Sequence, residues 1–146
     1  MSIIINAPQF TCGVLRAKWS KPVVAAELLT SYELVLDQAL KSGKCRFWLL
    51  DLSQRNWSEP TLLNWLSQQF AARASQALGG PVFVAYLTAS HHWVHVGGSG
   101  LTAMRQRAAK VNFYSCFFKN GALALDWLRD QRQLEPTAVR WLNTLN

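Results

Sequence analysis

Phe47-Trp48-Leu49-Leu50-Asp51 is the stretch on which the fold turns. Four consecutive apolar residues ending on a carboxylate mark a strand covered on both faces, since a strand with one wet face alternates apolar and polar positions. Such strands belong to mainly parallel sheets with helices on either side. A second run of the same kind, Pro81-Val82-Phe83-Val84-Ala85-Tyr86-Leu87, ends in Thr88-Ala89-Ser90.

Between and around these strands the spacing is helical. Residues Val24 to Lys41 place Leu28, Tyr32, Val35 and Ala39 on one face, with Leu29, Leu36 and Leu40 beside them, and Gly43 is suited to end the helix in a left-handed conformation. The polar loop Asp51 to Asn56 leads to Ser58-Glu59-Pro60, where Ser58 is placed to cap a helix carrying Leu62, Leu63, Leu66 and Phe70 and closing at Gly79-Gly80. Beyond a loop with Gly97 and Gly98, Ser99 is placed to cap a helix over Leu101 to Lys110, and Val111 to Phe118 reads as the last strand. Asn120 opens a helix bearing Ala124, Trp127 and Leu128, and Pro136 begins a short terminal helix with Val139, Leu142 and Leu145 on one side.

At the start, Ser2 to Asn6 and Phe10 to Lys18 read as two strands joined through Ala7-Pro8-Gln9, a candidate hairpin. The expected order is strand, strand, helix, strand, helix, strand, helix, strand, helix, helix. That order predicts one α/β domain over 1–146: a mixed, mainly parallel sheet flanked by about four to five helices, with right-handed crossovers.

Composition agrees with a folded chain. Half of the 146 residues are hydrophobic and 16% are charged, enough apolar surface to offset the entropy of ordering one domain. Cys12, Cys45 and Cys116 are far apart, odd in number and set in apolar runs, and so read as reduced core residues of a cytoplasmic protein. Lys44-Cys45-Arg46 is the one basic setting for a thiol. The first residues lack a basic leader, and no apolar run reaches the length of a membrane span.

The chain resembles the STAS-type domain shared by bacterial anti-sigma-factor antagonists and the tails of sulphate transporters. The likeness lies in element order, in the strand end Leu49-Leu50-Asp51-Leu52-Ser53, in the helix start at Ser58, and in the closing helix Asn120-Gly121-Ala122-Leu123-Ala124-Leu125-Asp126-Trp127-Leu128. It implies a non-enzymatic regulatory domain that binds another protein or itself, with Ser58 in the place of the serine that a partner kinase phosphorylates. The family pattern has an aspartate before that serine and a glycine soon after; here the sequence reads Asn56-Trp57-Ser58-Glu59-Pro60-Thr61. A phosphate on Ser58 would meet free N–H groups at a helix start, opposed by the Glu59 carboxylate.

Three constellations are the candidates for chemistry. The carboxyl ends of parallel strands are the usual ligand site of open α/β sheets, which brings together Asp51, Arg55 and Trp57 from one loop and Ser90, His91, His92 and His95 from another. A histidine base beside Asp51 would make an acid–base pair; Asp51 and Arg55 satisfying each other and the loop backbone is the plainer expectation. His91 and His95 have the spacing of some zinc sites, but no neighbouring carboxylate or cysteine completes a ligand set, so neither metal nor cofactor is expected. Gly97-Gly98-Ser99-Gly100 lacks the lysine of a phosphate-binding loop.

The net charge of +7, from 15 basic against 8 acidic residues, favours anionic partners in a general way. The basic residues are scattered as Arg16, Lys18 and Lys21, then Lys41, Lys44 and Arg46, and only Arg105, Arg107 and Lys110 are compact. Those three are the candidate anion contacts, with nucleic acid the less expected partner. Seven tryptophans are many for this length: Trp48 and Trp127 belong in a core, while Trp57, Trp65 and Trp93 fall in loops or off the main stripe, where an exposed patch would mark an interface.

Overall fold

The structure, a computed structural model, describes residues 3–6, 13–19, 25–52, 66–87 and 105–145. Within them a five-stranded sheet runs in sequence order: β1 (Ile3–Asn6), β2 (Leu15–Trp19), β3 (Phe47–Asp51), β4 (Val82–Leu87) and β5 (Phe113–Phe118). β1 and β2 pair antiparallel and the remaining neighbours pair parallel, as the alternation of strands and helices predicts. The helices are α1 (Ala25–Lys41), α2 (Ala71–Leu78), the helical residues 105–109 (α3) and α4 (Gly121–Leu145).

Strands that advance in one direction through crossovers of one hand place every connecting helix on the same face. Accordingly Tyr32, Val35 and Ala39 of α1, Ala71, Ala74 and Leu78 of α2 and Ala108 of α3 all join one core with Leu15, Trp48, Leu50, Val84 and Phe117. The opposite face is left to α4, whose Ala124 and Leu128 bury Phe47, Leu49, Phe83 and Ala85. The four-residue apolar run of β3 is thus explained: Trp48 and Leu50 face one layer, Phe47 and Leu49 the other.

Phe70 is the hub of the larger core. Its ring meets Tyr32 at 5.4 Å, Phe113 at 6.1 Å and Trp48 at 6.2 Å between centroids, in edge-on or tilted arrangements that suit aromatic quadrupoles. It closes a π-helical turn, Leu66–Phe70, that runs directly into α2. The one added residue of a π turn rotates the helix face that follows, so the register of Phe70 relative to Ala71 and Ala74 is not that of a plain helix.

Helix ends follow from residue chemistry. Asn120 caps α4, its side-chain oxygen accepting from the Ala122 N–H at 2.7 Å and from the Leu123 N–H at 3.3 Å. At the end of α2, Gly79 takes φ 77°, and the N–H groups of Gly79 and Gly80 both reach the Ser75 carbonyl, the bonding of a glycine-terminated helix. Gly43, with φ 75°, ends α1 as its position predicts.

Three boundaries differ from the sequence reading. β2 begins at Leu15, so Gly13 and Val14 are outside the strand expected from Phe10 to Lys18; residues 10–12 lie outside the described residues, and the Gly13 carbonyl is turned to Arg132, 2.8 Å away, instead of to a strand ladder. β5 begins at Phe113 because Val111 and Asn112 close a turn onto the Ala108 and Ala109 carbonyls, with Asn112 at φ 62°. Pro136 starts no separate helix. α4 runs through it unbroken, so the expected pair of closing helices is one, in which the proline offers no N–H to the Arg132 carbonyl four residues earlier.

Candidate functional site

The carboxyl end of the sheet is assembled by β3 and β4. Asp51 lies opposite Leu87 in the parallel register, and the Leu52 N–H donates to the Leu87 carbonyl at 2.8 Å. The strands therefore finish level and side by side, so the chain leaves both at one end of the sheet. Asp51 is half-buried, and strand alternation sets it on the α4 side with Phe47 and Leu49. Exposed Lys18 is its register partner on β2, so two opposite charges stand on adjacent strands of the same face.

Of the other residues expected there, Arg55, Trp57, Ser58, Ser90, His91, His92 and His95 lie outside the described residues, as do Trp65, Trp93, Cys12 and the Gly97 to Gly100 loop. Among the described residues, no group of three histidine, cysteine or carboxylate side chains could hold a metal, and no helix is long and apolar enough to cross a membrane.

Arg105, Arg107 and Lys110 fall on α3 and the turn after it. Arg105 donates from Nε to the Ser115 carbonyl at 2.9 Å and lies over the Phe117 ring at 5.9 Å, so it ties α3 to β5. Arg107 is half-buried and Lys110 exposed. Residues two apart on a helix point to opposite sides, so Arg105 and Arg107 do not form one basic stripe.

A basic site that sequence order conceals lies at the opposite, amino end of the strands. Arg16 from β2, Lys44 and Arg46 from the entry to β3, and Arg129 and Arg132 from α4 line two adjoining hollows of about 210 and 310 Å³, which share Arg132. Strand alternation turns Arg16 toward the α4 side, since Leu15, Ala17 and Trp19 take the core positions. Leu125, Leu128, Arg129 and Arg132 of the first hollow recur every three or four residues, one face of a helix.

Two of these arginines are fixed in place. Arg132 donates to the Gly13 carbonyl and stacks over Phe47, its guanidinium carbon 4.4 Å from the ring centroid. Arg46 donates to the Pro81 carbonyl at 2.8 Å, approaches the same ring at 5.6 Å, and lies along Gly80, where a Cβ would touch it. Behind them Phe47, Phe83 and Tyr114, aligned across β3, β4 and β5, form a row of stacked rings. The sequence signal was available only in part: Arg16, Lys44 and Arg46 are visible as basic residues, but nothing in their spacing says that the β2 and β3 starts meet the middle of the closing helix.

The cysteine and tryptophan expectations fall out individually. Cys45 is buried, its thiol directed at the Phe47 and Gly13 carbonyls at 3.4 and 3.6 Å, a core residue despite its basic neighbours. Cys116 is half-buried, and neither thiol is in a disulfide. Trp48 is fully buried and donates to the Cys45 carbonyl at 2.9 Å, whereas Trp127 is half-buried over Phe83 and Phe118.

No protein-family model matches the chain, and comparisons with curated proteins and with solved structures give no significant match.

Proposed function

We propose that this chain is a non-catalytic, STAS-like interaction domain of the cytoplasm that acts by binding another protein, a second copy of itself included. The observation that carries the reading is one exposed flank of α4, where Leu123 and Leu134 are 59% and 62% exposed. Their spacing is close to three helical turns, so both project from the same side of the helix. Tyr114 on the edge strand β5 is partly exposed as well. Apolar groups sharing one exposed face are the raw material of protein interfaces.

Element order lends support: two opening strands, strands alternating with helices and a closing helix from Gly121 follow the order on which the STAS resemblance rests. Under the same reading Ser58 is the candidate phosphoacceptor. The test is the solution mass of wild type and of the double variant Leu123→Glu, Leu134→Glu across roughly 1 to 100 µM, the range of weak interfaces. A dimer that falls to monomer in the variant, with unchanged circular dichroism, supports self-association through α4. A wild type monomeric throughout removes that form.

A small-ligand or enzyme site at the carboxyl ends of β3 and β4 is the second reading, favoured by the level, adjacent ends at Asp51 and Leu87. Fragment binding followed by amide chemical shifts tests it. Shifts gathered at Asp51, Leu52 and Leu87 would support the site, and fragments that move none of them would end it.

A further inference from the structure

We propose that the paired hollows at the amino end of the sheet bind a small molecule bearing two or more linked phosphates. Their lining includes Arg16, Lys44, Arg46, Arg129 and Arg132. Four of them, Arg16, Lys44, Arg129 and Arg132, are gathered with no carboxylate among the described residues that line either hollow, which is electrostatically unfavourable, and a bound polyanion reverses the sign of that interaction. Asp126 meets Arg129 at 3.4 Å, and that pair is well exposed and correspondingly weak.

The arrangement is set up for binding and not merely for charge. Arg132 sits between the two hollows with its guanidinium plane held by the Phe47 ring, and uses one of its five N–H donors on Gly13. A fixed, planar donor fork suits phosphate oxygens better than a mobile ammonium does. Because Arg132 borders both spaces, one phosphate on each side of it shares its charge, which favours linked phosphates over a single one. Arg16 and Arg129 face the first hollow, Lys44 and Arg46 the second. Val14, Leu125 and Leu128 add an apolar wall to the first, room for an organic group attached to the phosphates.

The hollows total a few hundred Å³, the low end of small-ligand sites and too small to hold a long polynucleotide track. A nucleoside triphosphate, inorganic pyrophosphate and orthophosphate are the probes that separate the cases, with a single-stranded oligonucleotide as the rival. Calorimetric titration of the full chain is expected to give saturable one-to-one binding of pyrophosphate or nucleoside triphosphate below about 1 mM, and weaker binding of orthophosphate.

The double variant Arg16→Ala, Arg129→Ala removes two exposed side chains and is expected to weaken binding at least about tenfold. Lys110→Ala, which lines neither hollow, leaves it unchanged. Equal binding by the double variant, or no binding of any phosphate probe by wild type, overturns the proposal. Tighter binding of the oligonucleotide than of the triphosphate, with a steep loss as salt rises, also overturns it and assigns the basic residues to a nucleic-acid backbone.

Discussion

Phe47 stacks on Phe83 with ring centroids 5.4 Å apart and planes within 11° of parallel, and the pair links the arginines at the amino end of β3 to the α4 layer. Phe47 supports the Arg132 and Arg46 guanidinium groups on one side; Phe83 receives Trp127 of α4 edge-on and Tyr114 in a second stack. Phe83→Ala is therefore expected to cost about 3–5 kcal/mol in denaturant unfolding, the usual penalty for emptying a large buried ring. A loss below about 1 kcal/mol would mean that α4 closes the space and that the row of rings is not what holds it.

Ser115 is buried on β5, and its hydroxyl has no hydrogen-bond partner among the described residues. An unpaired buried hydroxyl carries a desolvation penalty without a compensating bond, so Ser115→Ala is expected to be neutral or to stabilise the fold by up to about 1 kcal/mol. The Arg105 bond survives because it goes to the backbone carbonyl of that residue. Thermal unfolding decides the matter: a fall in Tm would show that the hydroxyl is bonded.

Gly79→Ala separates backbone strain from crowding. A Cβ at this position meets no atom within 4 Å, yet φ is 77°. The expected loss, about 1 kcal/mol, comes wholly from holding an L side chain in the left-handed region. Urea unfolding with an unchanged m-value checks it, since a changed slope would point to altered compactness instead.

Asn120→Ala removes the acceptor for two N–H groups at the start of α4 and is expected to destabilise by about 1 kcal/mol, while Asn120→Asp retains the cap. Equal stability of the two variants would show that water serves the helix start equally well.

The parallel sheet was legible because strands buried on two faces have few disguises: Phe47 to Leu50 and Val82 to Leu87 read correctly from apolar content alone. Tyr32, Val35 and Ala39 likewise declared the buried face of α1 through helical spacing. Pro136 misled, because proline at a helix start and proline inside a helix look the same when the flanking residues favour helix either way. The amino-end basic site was hidden for a different reason. Local spacing reports which residues share an element, but Arg132 and Gly13 are 119 positions apart, and only the return of α4 across the sheet unites them.

The order of the strands also fixes an order of assembly. Each new strand adds beside its predecessor, so every pairing in the described sheet can form as soon as the later strand has emerged, although each parallel pairing spans more than about thirty residues and closes slowly. The exception is the layer laid down by α4. A chain still tethered to the ribosome before that helix emerges would hold its sheet together while Phe47, Leu49, Phe83 and Ala85 remained wet. The most aggregation-prone moment in this protein's life therefore falls between the emergence of β5 and that of α4, and it ends when Arg132 reaches back to Gly13.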